Sequence, residues 1–171
     1  MAIHTTQPDR IGYLLQHVAD VVHRQSDQAL QEQLGVGVSQ LRIMTMLQQY
    51  PEVPQKRLSD GLGQTEASIS RQIKLLERKG IVAVKTDPGE RRKRLVSLTG
   101  RGIKVTDAAT DITTAQREQL AAMLNEKQRT QLQGILDTLH DYTCQPSKPA
   151  SCDHPFDLLD AYSMQRESKL E

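Results

Sequence analysis

Residues 64–98 read QTEASISRQIKLLERKGIVAVKTDPGERRKRLVSL and predict a helix, a short strand, a basic turn and a second strand. Thr65 suits the N-cap of the helix because its hydroxyl oxygen can accept a hydrogen bond from a free amide of the first turn. Lys79 and Gly80 suit the end of the helix, where a cation and a residue that tolerates left-handed geometry are favoured. The helix is therefore predicted to begin after Thr65 and to end at Lys79.

The predicted helix has two chemically different sides. At about 100° per residue, its apolar residues fall together and its small and cationic residues fall opposite them. The apolar side holds Ile69, Ile73 and Leu76, and the other holds Ala67, Arg71, Lys74 and Arg78, with Ser68 and Ser70 toward the edges. Such charge is most often the solvated face of an ordinary amphipathic helix. The same residue types also suit a helix in the major groove of DNA, where serine, arginine and lysine bond phosphates and base edges.

The segment after the helix favours the DNA interpretation. Residues 81–85 and 94–98 are predicted strands, and Thr86-Asp87-Pro88-Gly89 between them is a turn signal. The turn is followed by four consecutive cations, Arg91, Arg92, Lys93 and Arg94. Residues 65–101 hold ten Lys or Arg and four acids, a net charge of +6, whereas the whole chain carries +1. This concentration of positive charge is expected of a nucleic-acid-binding surface.

Two helices are predicted upstream of this segment. Residues 38–50 form the first, and residues 54–62 form a short second helix with Pro54 in its first turn. A turn at 62–64 then leads into the basic helix, so the arrangement is a helix-turn-helix to which the hairpin adds a wing. The predicted fold class is mainly α with a small β-hairpin wing.

This part of the chain resembles the MarR family of bacterial transcription regulators. The resemblance is carried by ISRQIKLLERKGIV at residues 69–82 and by DPGERRKRLVSLTGRG at residues 87–102. It spans roughly residues 34–102, continues to about residue 143 by helix pattern alone, and does not include the last 28 residues. The family's wing usually carries an Asp-x-Arg motif whose acid braces an arginine for the minor groove. Here the triplet is Glu90-Arg91-Arg92, so Glu replaces Asp and Arg92 is the matching arginine.

The resemblance implies a regulator of transcription that binds double-stranded DNA. We predict that its DNA contacts are made by Thr65, Ser68, Ser70, Arg71, Lys74, Arg91, Arg92 and Arg94. Arg78 and Arg101 are predicted to contact phosphates or nothing. We expect a repressor, which a small-molecule ligand or oxidation releases from DNA.

Long helices are predicted on both sides of the winged region. Residues 9–34, 99–125 and 126–142 each keep a helical apolar period and exceed what the winged region alone can cover. A two-fold homodimer with interlocking helices is favoured over a monomer with an intramolecular helical hairpin. Such a dimer would bind a pseudo-palindromic operator with half-sites about 34 Å apart.

Four regions are therefore expected. They are an N-terminal dimerisation helix at 1–34, a winged helix-turn-helix at 35–100, C-terminal dimerisation helices at 101–143, and a linker and tail, with a possible short helix, at 144–171. The resemblance also implies a small phenolic or anionic effector between the dimer helices and the winged region. Candidate contacts are Tyr13, His17, His23, Arg42 and Met46, although such a methionine is more often core and such a histidine more often surface.

The two cysteines, Cys144 and Cys152, lie in the tail. They are interpreted first as incidental thiols, second as a redox switch, and third as metal ligands with His140 and His154, whose spacing matches no strong zinc template. No metal site is therefore predicted.

Length and composition indicate the class of protein. A chain of 171 residues with 37% hydrophobic and 25% charged residues is one folded domain with appendages. Aromatic residues make up 3%, so an aliphatic core is expected. We predict a cytoplasmic protein, because the sequence offers neither a membrane-spanning run nor an apolar signal region.

Three functional classes follow from these patterns. The favoured class is a DNA-binding regulator, and the alternative is a winged-helix protein-interaction module or scaffold that does not bind DNA. An enzyme ranks last, with no cofactor expected, since the sequence contains no Gly-rich phosphate loop and no nucleophile elbow.

Overall fold

The computed structural model describes residues 7–91 and 93–143, which form six α-helices and three short β-strands. The helices are α1 (Gln7–Leu34), α2 (Val38–Gln49), α3 (Gln55–Leu62), α4 (Glu66–Arg78), α5 (Gly100–Ala122) and α6 (Glu126–Thr143). The strands are β1 (Val53–Pro54), β2 (Val82–Thr86) and β3 (Arg94–Leu98). The predicted class, mainly helical with a small β-hairpin wing, is confirmed.

The strands form one antiparallel sheet in the order β1-β3-β2. Val96 of β3 faces Val84 on one side and Val53 on the other. The hairpin was predicted, but β1 was not. Pro54, predicted in the first turn of α3, is instead the last residue of β1 and the N-cap of α3. A strand of two residues has no alternation that a sequence pattern could reveal.

The core is aliphatic, as the scarcity of aromatic residues predicts. It is centred on α2, which contacts α1, α3, α5 and β3 and is therefore buried over most of its circumference. Its largest fully buried side chains include Leu30, Ile43, Met44, Met46, Leu47, Leu58, Ile69 and Leu76. Ile69, Ile73 and Leu76 are at most 2% exposed, which confirms the predicted apolar side of α4.

Two helical segments keep their apolar side chains in solvent. The first is the N-terminal half of α1, where Ile11, Tyr13, Leu14, Leu15 and Val18 are 45–65% exposed. The second is α6, where Leu132, Ile135, Leu136, Leu139 and Tyr142 are 38–67% exposed. No residue of α6 is buried in the described part of the chain. We call these two segments the apolar flank.

None of the helices in the described ranges combines the length and the apolar character needed to cross a membrane.

Candidate nucleic-acid interface

The start of α4 is fixed by its own side chains. Thr65 is the N-cap, and its hydroxyl oxygen accepts a hydrogen bond from the backbone amide of Ser68 at 3.2 Å. The Ser68 hydroxyl donates to the side-chain oxygen of Gln64 at 3.3 Å. Two of the predicted contact residues, Thr65 and Ser68, thus take part in local hydrogen bonds that set the direction of the helix.

Replacing Thr65 with alanine is expected to lower the free energy of unfolding by about 1 kcal/mol, because the amide of Ser68 loses its acceptor. Thr65→Ser keeps the hydroxyl and serves as the control. Denaturant unfolding of both variants at one protein concentration measures the difference. Equal loss in the two variants would contradict the capping role.

The outward side of α4 carries free positive charge. Arg71, Lys74 and Arg78 are exposed, and Ser70 beside them is half-buried. Within residues 7–91 and 93–143, none of these three cations forms a hydrogen bond or an ion pair. Because the other side of α4 is buried in the core, the helix is held rigidly and its cations point away from the core.

The turn between β2 and β3 is organised by Asp87. One carboxylate oxygen accepts a hydrogen bond from the amide of Gly89 at 2.8 Å, and the other lies 3.6 Å from the ammonium of Lys93. The backbone closes the turn, since the Asp87 amide donates to the carbonyl of Lys93 at 2.9 Å and the Lys93 amide donates to that of Glu90 at 2.8 Å. The turn at residues 86–89 was predicted but the contacts of Asp87 that organise it were not, although an aspartate two residues before a glycine is a known turn signal.

The cations of the wing therefore divide into two groups. Lys93 is paired with Asp87, and Lys85 is paired with Glu52 at 2.5 Å. Arg91 and Arg94 are exposed and, among the residues that the structure describes, have no ion-pair partner. Arg92 lies outside the described residues, so the Glu90-Arg92 brace stays a prediction.

The five predicted effector residues lie in different environments. Tyr13 and His17 stack on the exposed half of α1, with ring centroids 5.7 Å apart and an interplanar angle of 11°. His23 is exposed, Arg42 is half-buried, and Met46 is in the core with no exposed surface. Of the five, the structure thus brings together Tyr13 and His17. A separate open groove lies on α6 and is lined by Thr130, Gln131, Gly134, Ile135, Thr138 and Leu139.

Predictions for the tail fall outside the described residues, since Cys144 and Cys152 both follow Thr143. Within residues 7–91 and 93–143, no group of three or more His, Cys, Asp or Glu side chains is placed to hold a metal ion.

Comparison with known proteins places this arrangement among transcription regulators. The model of the MarR family matches residues 34–93. A putative transcriptional regulatory protein for the hcr operon of Thauera aromatica is 22% identical over 138 residues, which cover 81% of this chain and 83% of that protein.

Solved structures of regulators share the fold. The structure of MepR, a transcription regulator of the Staphylococcus aureus multidrug efflux pump MepA, is similar with a TM-score of 0.66 at 25% identity, over 77% of this chain and 96% of that one. Streptococcus pneumoniae FabT in complex with DNA has a TM-score of 0.69 at 18% identity, over 80% of this chain and 96% of that one. The resemblance identified in the sequence is confirmed.

Proposed function

We propose that this chain, which belongs to the MarR family through its winged helix-turn-helix region, is a sequence-specific regulator of transcription that binds double-stranded DNA. The single observation that carries the proposal is the outward face of α4. It presents Arg71 and Lys74 without partners of their own among the described residues. Cations that no acid neutralises are available for phosphates and for guanine edges.

The proposed contacts divide between two grooves. In the major groove, Ser70, Arg71 and Lys74 are the proposed readers of bases and phosphates. The hydroxyls of Thr65 and Ser68 add contacts at the start of the helix, where recognition helices meet base edges. From the wing, Arg91 and Arg94 would bind phosphates and Arg92 would enter the minor groove, in which arginine is favoured.

The DNA-binding unit is proposed to be a homodimer. Support comes from the apolar flank, in which the N-terminal half of α1 and the whole of α6 expose large apolar side chains. A second copy that covers these side chains would remove their area from water, which stabilises by about 25 cal/mol per Å². A two-fold dimer repeats every contact, so two recognition helices would meet a pseudo-palindromic operator on one side of the duplex.

We propose repression that a small phenolic or anionic effector relieves. The stacked rings of Tyr13 and His17 support this assignment, since they lie on the exposed half of α1 that dimerisation would cover. His23, Arg42 and Met46 remain candidate contacts, and oxidation of Cys144 and Cys152 remains a second proposed trigger. As a regulator of transcription, the protein is proposed to act in the cytoplasm.

Selection of bound duplexes from a random pool tests the function and supplies the operator. The expected result is an enriched pseudo-palindrome with half-sites about one helical turn apart. Enrichment of no sequence would contradict sequence-specific binding. Failure of the chain to retain any duplex at about 50 mM salt, where phosphate contacts are strong, would favour the alternative of a protein-interaction module.

Replacing Arg71 with alanine is expected to relax sequence preference at one or two positions of each half-site by about 1–3 kcal/mol and to weaken binding. The loss arises because a partner-free guanidinium on the reading face is removed. Lys127→Ala, at an exposed cation on α6, is the matched control and should bind as the unaltered protein does. Anisotropy titrations with the selected duplex and its single-base variants measure the effect. If the two variants bind alike, Arg71 is not a reader.

A further inference from the structure

The C-terminal end of α4 is attached to both long helices that flank the winged region. Three segments meet there, and we call them together the α4 junction. It consists of Gly35, which follows α1; Lys79, Gly80 and Ile81, which follow α4; and Thr99 and Gly102, at the start of α5. The proposed base readers Ser70, Arg71 and Lys74 lie earlier in α4.

On the α1 side, the end of α4 is contacted through one charged side chain. The ammonium of Lys79 donates a hydrogen bond to the backbone carbonyl of Gly35, which lies 44 positions earlier in the chain. Gly35 ends α1 in the left-handed region, with φ of 66°, and Lys79 is the C-cap of α4. The ammonium therefore lies at the carbonyl end of α1, which carries partial negative charge.

On the α5 side, the end of α4 is contacted by the hydroxyl and the amide of Thr99 and by the backbone of Gly102. The Thr99 hydroxyl donates to the carbonyl oxygen of Gly80 at 2.7 Å, and the Thr99 amide donates to that of Ile81 at 3.0 Å. Gly102 approaches so closely that an added Cβ would lie 2.1 Å from the carbonyl oxygen of Ile81. These contacts hold the end of α4 against α5, and within the α4 junction Lys79 is the side chain that joins α4 to α1.

We propose that Lys79 is a positioning residue for DNA recognition. Its ammonium would set the angle of α4 against α1 and so the separation of the two recognition helices in the dimer. The inference rests on the proposed function. Arg78, the preceding residue, is exposed and without a partner among the described residues, and it is left free for phosphate.

A small rotation of α4 at the α4 junction would displace the residues that are proposed to read DNA. Arg71, one of the proposed base readers, lies eight residues before Lys79 and so about 12 Å from the α4 junction at 1.5 Å per residue. A rotation of about 15° at the junction would displace Arg71 by about 3 Å, close to the 3.4 Å rise of one base-pair step. Loss of the Lys79 contact should therefore weaken the preference of the protein for one spacing between half-sites. The number of phosphates contacted should change less.

The test compares Lys79→Met with Arg78→Met on the selected duplex and on duplexes whose half-site spacer is one base pair longer or shorter. For Lys79→Met we expect binding to the best duplex about ten-fold weaker, the size typical of one mismatched base pair. The three spacers should be bound with nearly equal affinity, and the salt slope should not change. For Arg78→Met we expect an unaltered spacer preference and a salt slope lower by about 1.

A third variant separates positioning from a general loss of structure. Lys79→Arg keeps a charged donor at the position, and it is expected to restore the spacer preference. Two outcomes would overturn the positioning role of Lys79 and leave the proposed function standing. The first is a salt slope that falls in Lys79→Met as it does in Arg78→Met, which would mark a phosphate contact. The second is a spacer preference that Lys79→Met leaves unchanged. Failure of the unaltered protein to bind any duplex would instead overturn the proposed function, and the role of Lys79 with it.

Discussion

Replacing Ile135 and Leu139 of α6 together with glutamate is expected to separate the proposed dimer into single chains. These side chains are 59% and 40% exposed in one chain and line the groove of α6. Full burial of such a side chain stabilises by about 1.5–3 kcal/mol, and roughly half of that remains available here. Since the dimer contains four such side chains, we expect its dissociation constant to rise at least about 100-fold.

The matched control is Lys127→Gln together with Arg129→Gln, which lowers the charge of α6 by the same two units per chain at exposed residues outside the groove. Sedimentation velocity across a range of protein concentrations measures the mass of each variant. We expect the unaltered chain and the control to keep the mass of two chains at micromolar concentration. A double variant that also keeps the dimer mass would show that α6 is not part of the interface.

Replacing Gly102 with alanine is expected to lower the free energy of unfolding by about 3 kcal/mol, within the range for overpacking of a buried site. An added Cβ would lie 2.1 Å from the carbonyl oxygen of Ile81 and 3.0 Å from a methyl of Leu98. Backbone cannot move aside as a flexible side chain can, so α5 would have to separate from the end of α4.

Gly134→Ala provides the comparison, since it makes the same change in a helix where an added Cβ meets nothing within 4 Å. There alanine should raise the free energy of unfolding by about 0.5–1 kcal/mol, because glycine is the poorer helix former. Denaturant unfolding followed by circular dichroism measures both changes. Equal effects at the two positions would mean that α5 and the end of α4 are not in close contact.

Features that depend on near neighbours in the chain could be predicted from the sequence. The Thr65 cap, the end of α4 at Lys79 and the buried stripe of Ile69, Ile73 and Leu76 each follow from residues within a few turns of one another, and each is confirmed. The basic turn of the wing was foreseen for the same reason. These local signals agree with one another, as expected of a sequence that specifies a single fold.

Features that depend on distant neighbours could not be predicted. β1 exists because Val53 pairs with Val96, 43 positions later, and two residues alone carry no strand signal. The Lys79 contact to Gly35 is equally remote in sequence. Charge counting also treats all cations alike, whereas Lys85 and Lys93 are paired with acids and Arg91 and Arg94 have no such partner in the described residues. Only a three-dimensional arrangement separates paired from available charge.

Two copies of this chain are proposed to bind one duplex through the basic face of α4 and the wing. The most direct measurement is a titration of the selected duplex at several salt concentrations, with the mass of the complex determined alongside. If the two subunits neutralise about six to ten phosphates, the logarithm of the association constant should fall with the logarithm of salt with a slope of about −5 to −9. The expected complex contains two chains per duplex. A complex with a single chain would contradict binding as a dimer, and an affinity that salt does not change would contradict binding through these cations.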